Sequence, residues 1–348
     1  MSSETGAAAD TIYARGVMPP LPSAAPLPDR ADVVIVGGGL TGVSAALHLA
    51  EHGFAPCLLE AGSLGDGASG RNGGQLHPGH RQDQITLSQA VGREAADILW
   101  RIGGETIALI HALRQRLRAD CGFQPGLIEA AHNKDELDHL KSYAEHLHRW
   151  HGVEGETLSA AELADAIGTS RYMGGIRDPS GGHLNPFALL AALALAAHVA
   201  GARAHTNARV TSVEKAGQGW AVTVETEAGP QEMAADHVLL AGNGLMRGLS
   251  READRRIVPL LNHIVATVPI ERLIRGGEAV SDTRFVVRYF RQDAEGRLIF
   301  GGGESFGRPR DVGRLVRRAL REVYPNLADV EFDAAWSGTL GITWTRMP

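Results

Sequence analysis

The sequence predicts an α/β domain with a mainly parallel sheet, interleaved with a second, α+β domain built on an antiparallel sheet. The first domain is predicted by a continuous apolar run at residues 33–36, followed at once by a glycine cluster and a helical pattern. The second is predicted by strand-like alternation from position 257 onward. A chain of 348 residues is long enough for two domains of ordinary size.

Charge balance and cysteine content bear on nucleic-acid binding, metal binding and cellular location. With 34 basic against 40 acidic residues and a net charge of -6, the chain has no basic surplus, so no nucleic-acid partner is expected. The two cysteines, Cys57 and Cys121, lie far apart and outside any metal-binding spacing. We therefore expect no metal site and a reducing, cytoplasmic location.

Two further segments bear on membrane insertion and targeting. The longest apolar run, Phe187–Gly201, is shorter than the roughly 20 residues that a bilayer span needs. It predicts a buried helix that ends at Gly201 rather than a membrane span. Residues 1–30 lack the basic start and apolar stretch of a secretory signal. Their content of Pro, Ala and Ser predicts an extended arm that leads into the first domain.

A glycine fingerprint follows the first apolar run. Gly37 allows the tight turn out of the strand, Gly39 lets the backbone approach a pyrophosphate, and Gly42 lets the following helix pack closely on the strand. The N-terminus of this helix offers free N–H groups to the anion. Glu60 lies about 20 residues further on, where its carboxylate can accept hydrogen bonds from ribose, and this disfavours NADP. The expected dinucleotide-binding residues of this unit are Gly37, Gly39, Leu40, Thr41, Gly42, Glu60 and Ala61.

The stretch GDGASGRNGGQLHPGH, residues 65–80, is too poor in large side chains to build a core. Ser69 can donate a hydrogen bond to a phosphate, and Arg71 can neutralise one. The surrounding glycines let the main chain lie against a flat ring system. Since a plain NAD domain would continue with another helix and strand, this loop favours FAD over NAD. The expected cofactor-binding residues of the loop are Ser69, Arg71, Asn72, Gly73, Gly74 and Gln75.

The motif GASGRNGGQ, placed after the fingerprint and the sequence LLEAG, resembles the D-amino-acid-oxidase-like family of FAD-dependent oxidoreductases. From about Tyr13 to Pro348 the chain is most similar to the gamma-glutamylputrescine oxidase branch. Further segments that share the resemblance are YARGVMPPLP, GLIEAAHNKDEL, YFRQDAEGRLIFGGG and GTLGITWTRMP. The resemblance implies FAD as the cofactor and a second glycine-rich FAD-side loop at Gly242. It also implies that Val210 contacts the adenine through its backbone, and an ordinary inward-facing strand valine is the alternative.

The same resemblance implies a discontinuous FAD-binding domain of the Rossmann type. The middle of the chain supports this independently, because a helix, a strand and a hairpin around residues 216–219 precede a further apolar strand at 237–242. The expected organisation is an extended arm at residues 1–30, an FAD-binding domain at 31–80 and 185–250, and a substrate domain at 81–184 and 251–348.

The substrate domain supplies most of the candidate catalytic residues. In TRFVVRYFRQ, residues 283–292, a period of two places Phe285, Tyr289 and Arg291 on one face of a long strand. Arg291 beside Tyr289 suits a carboxylate or the γ-glutamyl end of an amine, and a solvated edge arginine next to a core tyrosine is the alternative. His77 follows the flavin loop and is a candidate base, with a solvated loop histidine as the alternative.

The expected activity is oxidation of the C–N bond of a primary or secondary amine or amino acid to an imine, which then hydrolyses. The expected partners are a small-molecule amine and either oxygen or another electron acceptor. Three alternatives stay open. They are an FAD dehydrogenase that passes electrons to a quinone or partner protein, an NAD-dependent enzyme, which the loop argues against, and a flavoprotein without activity.

The resemblance implies one more expectation, at the end of the chain. In the resembled family the chain continues past the last substrate-domain strand into a glycine-rich turn and a helix that faces the pyrimidine edge of the flavin. This sequence stops at Pro348. A truncated form with weakly held FAD and low activity is therefore expected.

Overall fold

The computed structural model describes residues 11–17 and 25–346. The helices in these ranges are α1 (Leu40–Glu51), α2 (Gln84–Val91), α3 (Arg93–Arg116), α4 (Lys134–His151), α5 (Ala160–Ile167), α6 (Pro186–Val199), α7 (Arg251–Arg256) and α8 (Val312–Val323). The strands are β1 (Arg30–Val36), β2 (Pro56–Leu59), β3 (Gln75–Leu76), β4 (Gln124–Ala131), β5 (Glu156–Ser159), β6 (Gly174–His183), β7 (Arg203–His205), β8 (Arg209–Ala216), β9 (Gly219–Thr226), β10 (Gly229–Leu240), β11 (Ile257–Pro269), β12 (Ala279–Asp282), β13 (Tyr289–Gln292), β14 (Arg297–Ser305) and β15 (Phe332–Thr343).

The first sheet combines a parallel half with an antiparallel half, in the order β7-β2-β1-β10-β9-β8. Strand β1 runs parallel to β2 and β10, whereas β8, β9 and β10 form an antiparallel meander. Helices α1 and α6 pack on one face of β1 and β2, and on the other face these strands share a core with the meander. Because both faces are covered, Val34 and Ile35 are fully buried, as the continuous apolar run predicts.

The second sheet has the order β15-β11-β14-β13-β12-β4-β6-β3, with β5 paired to β6. On one face of its central strands, Ile128, Val280 and Phe290 pack with apolar residues of α5 and α8. The opposite face of the same strands borders a cavity. This sheet therefore has a sealed face that stabilises the domain and an open face that is available for binding.

The long strand predicted at residues 283–292 is wrong, because only Tyr289–Gln292 is a strand. The preceding residues form a loop around Asp282, whose carboxylate accepts hydrogen bonds from the backbone N–H groups of Arg284 and Arg288. Capture of these N–H groups by a buried aspartate competes with strand pairing. Phe285, expected on the inward face, is instead 71% exposed.

Three other segments differ from the expectations in detail. The apolar helix at 187–201 is present as α6, but Leu195 and Val199 are exposed, so it is buried on one side only. The strand at 237–240 is present at the end of β10, but Leu239 is partly exposed. In the N-terminal segment, Ile12–Ala14 form a short 3-10 turn and residues 1–10 and 18–24 lie outside the described ranges. No helix in the described ranges is long and apolar enough to cross a membrane.

Candidate active site

The turn between β1 and α1 is built on close backbone contacts. Gly37 has a φ of +112°, which favours glycine, and a Cβ on it would lie 2.7 Å from the carbonyl oxygen of Ala241. A Cβ on Gly42 would collide with the carbonyl oxygen of Gly37. Ala241 and Gly242, which directly follow β10, therefore lie beside the turn.

The N-terminus of α1 opens next to the 65–74 loop. Gly39 is the N-cap residue and brings no side chain to the helix end. The N–H of Leu40 donates to Ser69 Oγ at 2.9 Å, so the Ser69 hydroxyl keeps its own hydrogen for another acceptor. Together with the N–H groups and positive dipole end of the first helical turn, which includes Thr41, this arrangement fits an anion.

Glu60 occupies the end of β2 and is held by the backbone. Its Oε2 accepts from the N–H of Gly38 at 2.6 Å, and its Oε1 accepts from the N–H of Gly62 at 2.9 Å, across Ala61. Each carboxylate oxygen has a second lone pair for a ligand hydroxyl. The backbone carbonyl oxygen of Glu60 also accepts from the N–H of Ala208, which lies just before β8. The side chain of Val210 on β8 packs in the core, and its expected contact with the adenine stays a prediction.

The 65–74 loop is fixed by its own polar side chains. The amide of Asn72 donates to the carbonyl oxygens of Ala68 and Ser69, and its Oδ1 accepts from the N–H of Gly74 at 2.7 Å. Arg71 donates from Nε to the carbonyl oxygen of Asp66 at 2.8 Å. The structure thus gives Arg71 a bond within the loop, and its expected contact with a phosphate stays a prediction.

The glycine pair at the end of the loop approaches the second sheet. A Cβ on Gly73 would lie 2.6 Å from Cε2 of Tyr289. Gly74 has a φ of +75°, and its carbonyl oxygen accepts from the N–H of Leu184 at 2.9 Å. Glycine at position 73 leaves room for the Tyr289 ring, and glycine at position 74 leaves room for the carbonyl oxygen of Leu184 and the Arg291 side chain. The loop therefore joins the turn of the first sheet to the open face of the second.

The structure places Arg291 against the loop. Its side chain is almost fully buried, with Nε donating to the carbonyl oxygen of Gly73 at 2.7 Å and Nη2 donating to that of Leu184 at 3.2 Å. Nη2 also lies 3.4 Å from the hydroxyl of Tyr13. These bonds direct the guanidinium towards backbone carbonyls, and its predicted role in substrate binding is not tested by them.

A cavity of about 540 Å³ begins where the loop meets the second sheet. At that end it is lined by Gln75, His77 and Tyr289. The imidazole Nε2 of His77 lies 2.9 Å from Oε1 of Gln75, whose amide in turn donates to the carbonyl oxygen of Val280 at 3.0 Å. His77 is solvent-exposed at the cavity surface, and partial desolvation there lowers the pKa of its imidazole below the usual 6.5, while nearby Asp178 opposes the shift. His77 is therefore neutral at neutral pH.

Sequence reasoning missed several residues of this region. Asn262 on β11 accepts a hydrogen bond from the Tyr289 hydroxyl. Glu129 on β4 lines the cavity, and Tyr13 packs against Trp336 and Arg291. The contacts of Asn262 and Tyr13 join residues that are distant in the chain, so no local signal marks these two residues. Glu129 alone had a cue, as an acid within an apolar strand.

Comparisons with known proteins identify the family to which the chain belongs. A family model described as FAD dependent oxidoreductase (DAO) matches residues 32–348. The chain is 37% identical over 347 residues to a probable oxidoreductase OrdL of Rhizobium meliloti, covering 97% of this chain and 78% of that protein. It is 34% identical to the gamma-glutamylputrescine oxidoreductase of Escherichia coli over 325 residues, which cover 91% of this chain and 75% of that one. The crystal structure of glycine oxidase from Geobacillus kaustophilus shares the fold, with a TM-score of 0.74 at 24% identity over 92% of this chain and 85% of that one.

Proposed function

Because the chain belongs to the DAO family of FAD-dependent oxidoreductases, we propose that it oxidises the C–N bond of an amine to an imine. The proposed substrate is an amine of the gamma-glutamylputrescine type, and the proposed electron acceptor is oxygen. One observation carries the substrate class, namely that an acidic cavity opens beside the glycine loop. The similarity to the gamma-glutamylputrescine oxidoreductase of Escherichia coli supports the same class.

The residues at the end of β1 fit FAD. We assign the pyrophosphate to the N-terminus of α1 with Ser69, and the adenosine ribose to Glu60. A Cβ at Gly39 would fill the space before the Ser69 hydroxyl, which explains the glycine there. The flat backbone of Gly73 and Gly74 suits the ring system. When bound, FAD accepts the electrons and hydrogen that leave the carbon next to the amine nitrogen.

The charge of the cavity favours a cationic ligand. Within the described part of the chain, the lining contains more carboxylates than guanidinium groups. The carboxylates belong to Asp83, Glu129, Glu136, Asp178 and Asp282, and the guanidinium groups to Arg81 and Arg284. Arg284 is already paired with Asp282. Such a surplus of negative charge in a concave site attracts ammonium groups and raises their local concentration.

His77 is placed to prepare the amine. An alkylammonium ion must lose a proton before its α-carbon can give up hydride, and a neutral imidazole can accept that proton. Because Gln75 presents its carbonyl oxygen to Nε2, that nitrogen carries the hydrogen and Nδ1 keeps the free lone pair. We assign His77 Nδ1 as the proton acceptor, with Tyr289 as an adjacent wall of the site.

The experiment that tests this function is an amine panel on flavin-replete protein under anaerobic conditions. Bleaching of the flavin absorption by gamma-glutamylputrescine, and less so by amino acids, is the expected result. Readmission of air should restore the colour and release peroxide. A flavin that no amine bleaches contradicts the proposed function, whereas bleaching followed by reoxidation only with a quinone would identify a dehydrogenase.

A further inference from the structure

A row of register partners crosses the open face of the second sheet. Tyr289 on β13 pairs with Ser281 on β12, Ser281 pairs with Glu129 on β4, and Glu129 pairs with Ile176 on β6. Register partners on adjacent strands point to the same face, and all four residues line the cavity. Two strand spacings separate Glu129 from Tyr289, which is a distance of about 10 Å.

Glu129 is the carboxylate of this row, and within residues 11–17 and 25–346 no side-chain hydrogen bond or ion pair engages it. Three of the other four carboxylates that line the cavity have protein partners, and within the described residues Glu136 has no side-chain partner either. Asp83 accepts from the N–H of Thr86 as the N-cap of α2, Asp178 accepts from Ser180, and Asp282 pairs with Arg284. Glu129 is solvent-exposed at the cavity surface, so its carboxylate is accessible to a charged group of a ligand.

The charged groups around Glu129 suit a cationic ligand. Partial desolvation within the cavity raises the pKa of its carboxyl, Arg81 and His139 lower it, and Asp83 and Glu136 raise it further. Arg81 donates instead to the carbonyl oxygen of Phe285 at 3.2 Å. A positively charged group placed at Glu129 would stabilise the ionised form and supply the partner that the protein does not.

We propose that Glu129 is a specificity-determining residue that binds a second, remote ammonium group of the substrate, about 10 Å from the end at which the C–N bond is oxidised. This inference rests on the proposed function and extends it. The reacting amine lies near Tyr289 and His77, and the substrate runs across β12 to β4. The substrate is thus an amine that carries both a reactive and a distant ammonium group, as the α-ammonium of a γ-glutamyl amide does.

Two probes that differ only in the remote ammonium test the inference. The first is gamma-glutamylputrescine, and the second is the glutaryl amide of putrescine, which lacks the α-amino group. The wild-type holoenzyme should prefer the first probe about tenfold or more in kcat/KM, as expected for a charge-assisted contact in a concave, acidic site. Glu129→Gln should remove that preference, mainly through a higher KM for the first probe. Glu129→Asp, which keeps the charge, should restore part of it.

Glu145→Gln provides the matched control. Glu145 is an exposed carboxylate on α4 that does not line the cavity, so this variant changes net charge equally and should keep the preference. Flavin content and melting temperature of each variant establish that it is folded.

The outcomes separate the two levels of the proposal. The remote-ammonium role is wrong if Glu129→Gln is folded and retains the preference for the first probe. It is also wrong if the substitution lowers kcat/KM for both probes by the same factor. If the wild-type enzyme oxidises both probes equally well, the inference is again wrong while amine oxidation stands. If neither probe reduces the flavin of the wild-type enzyme, the proposed function fails and the inference fails with it.

Discussion

Arg291 Nε donates a 2.7 Å hydrogen bond to the carbonyl oxygen of Gly73, and this bond joins the strand β13 to the glycine loop that leaves the first sheet. The same guanidinium also donates to the carbonyl oxygen of Leu184. One buried cation thus fixes the loop from the side of the second sheet. The relative position of the cofactor loop and the cavity depends on this cation.

Arg291→Ala is therefore expected to loosen the loop. Removing a buried charged donor leaves two carbonyl oxygens unsatisfied, which costs about 1.5–3 kcal/mol in the free energy of unfolding. Flavin affinity should fall as well, because Gly73 and Gly74 lose their support. Urea unfolding and flavin titration measure the two effects. A higher KM for the amine with unchanged stability and flavin affinity would instead identify Arg291 as a substrate residue.

Gly39→Ala tests the anion site at α1. The new Cβ would lie 2.8 Å from Ser69 Oγ and would push the hydroxyl away from the N–H of Leu40. We expect FAD affinity to fall about tenfold, the equivalent of one charge-assisted hydrogen bond. Flavin fluorescence titration of the apoprotein measures the change.

Gly104→Ala is the control for Gly39→Ala, because it makes the same substitution away from the anion site. Gly104 lies inside α3 with nothing within 4 Å of the position of its Cβ. Alanine there should raise the free energy of unfolding by about 0.5–1 kcal/mol and leave FAD affinity unchanged. Equal FAD affinity in both variants would place the pyrophosphate somewhere other than the α1 N-terminus.

The pH dependence of amine oxidation tests His77. Its pKa is lowered by partial desolvation in the cavity, so the imidazole remains neutral at neutral pH and becomes protonated only as the pH falls below 6.5. If His77 Nδ1 accepts the proton of the ammonium, kcat/KM should fall on the acid side through this lowered pKa. His77→Gln should abolish that limb of the profile.

His80→Gln is the matched control, since the His80 imidazole lies 2.9 Å from the carbonyl oxygen of Leu99. This variant should keep the acid limb of the wild type. If the acid limb persists unchanged in His77→Gln, the ionisation that limits kcat/KM at low pH belongs to the substrate amine. His77 then lines the cavity without accepting the proton.

The glycine fingerprint was predictable from sequence because its residues belong to one continuous strand–helix–strand unit. Gly37 and Glu60 follow apolar runs at a spacing set by one strand–helix–strand unit, and the structure brings them to one edge of the sheet. The row from Tyr289 to Glu129 was not predictable, because it depends on the register of three strands that are distant in sequence. The strand predicted at 283–292 failed since one buried side chain, Asp282, bonds the backbone that would have paired. The expected truncation stays a prediction.

The Tyr289 hydroxyl can serve either to stabilise the protein, through Asn262, or to bind the substrate. Its hydroxyl donates to Oδ1 of Asn262, and its ring covers Gly73. If this bond is structural, Tyr289→Phe should cost about 1–2 kcal/mol of unfolding free energy, since Asn262 loses its donor while the ring still packs. Asn262→Ala should cost a similar amount, and the double variant less than the sum, because the two changes remove one shared bond. Urea denaturation of the four proteins gives this coupling energy, and kcat/KM for the amine should fall less than tenfold. Additive losses of stability together with a larger loss of kcat/KM would show that the hydroxyl serves the substrate and not Asn262.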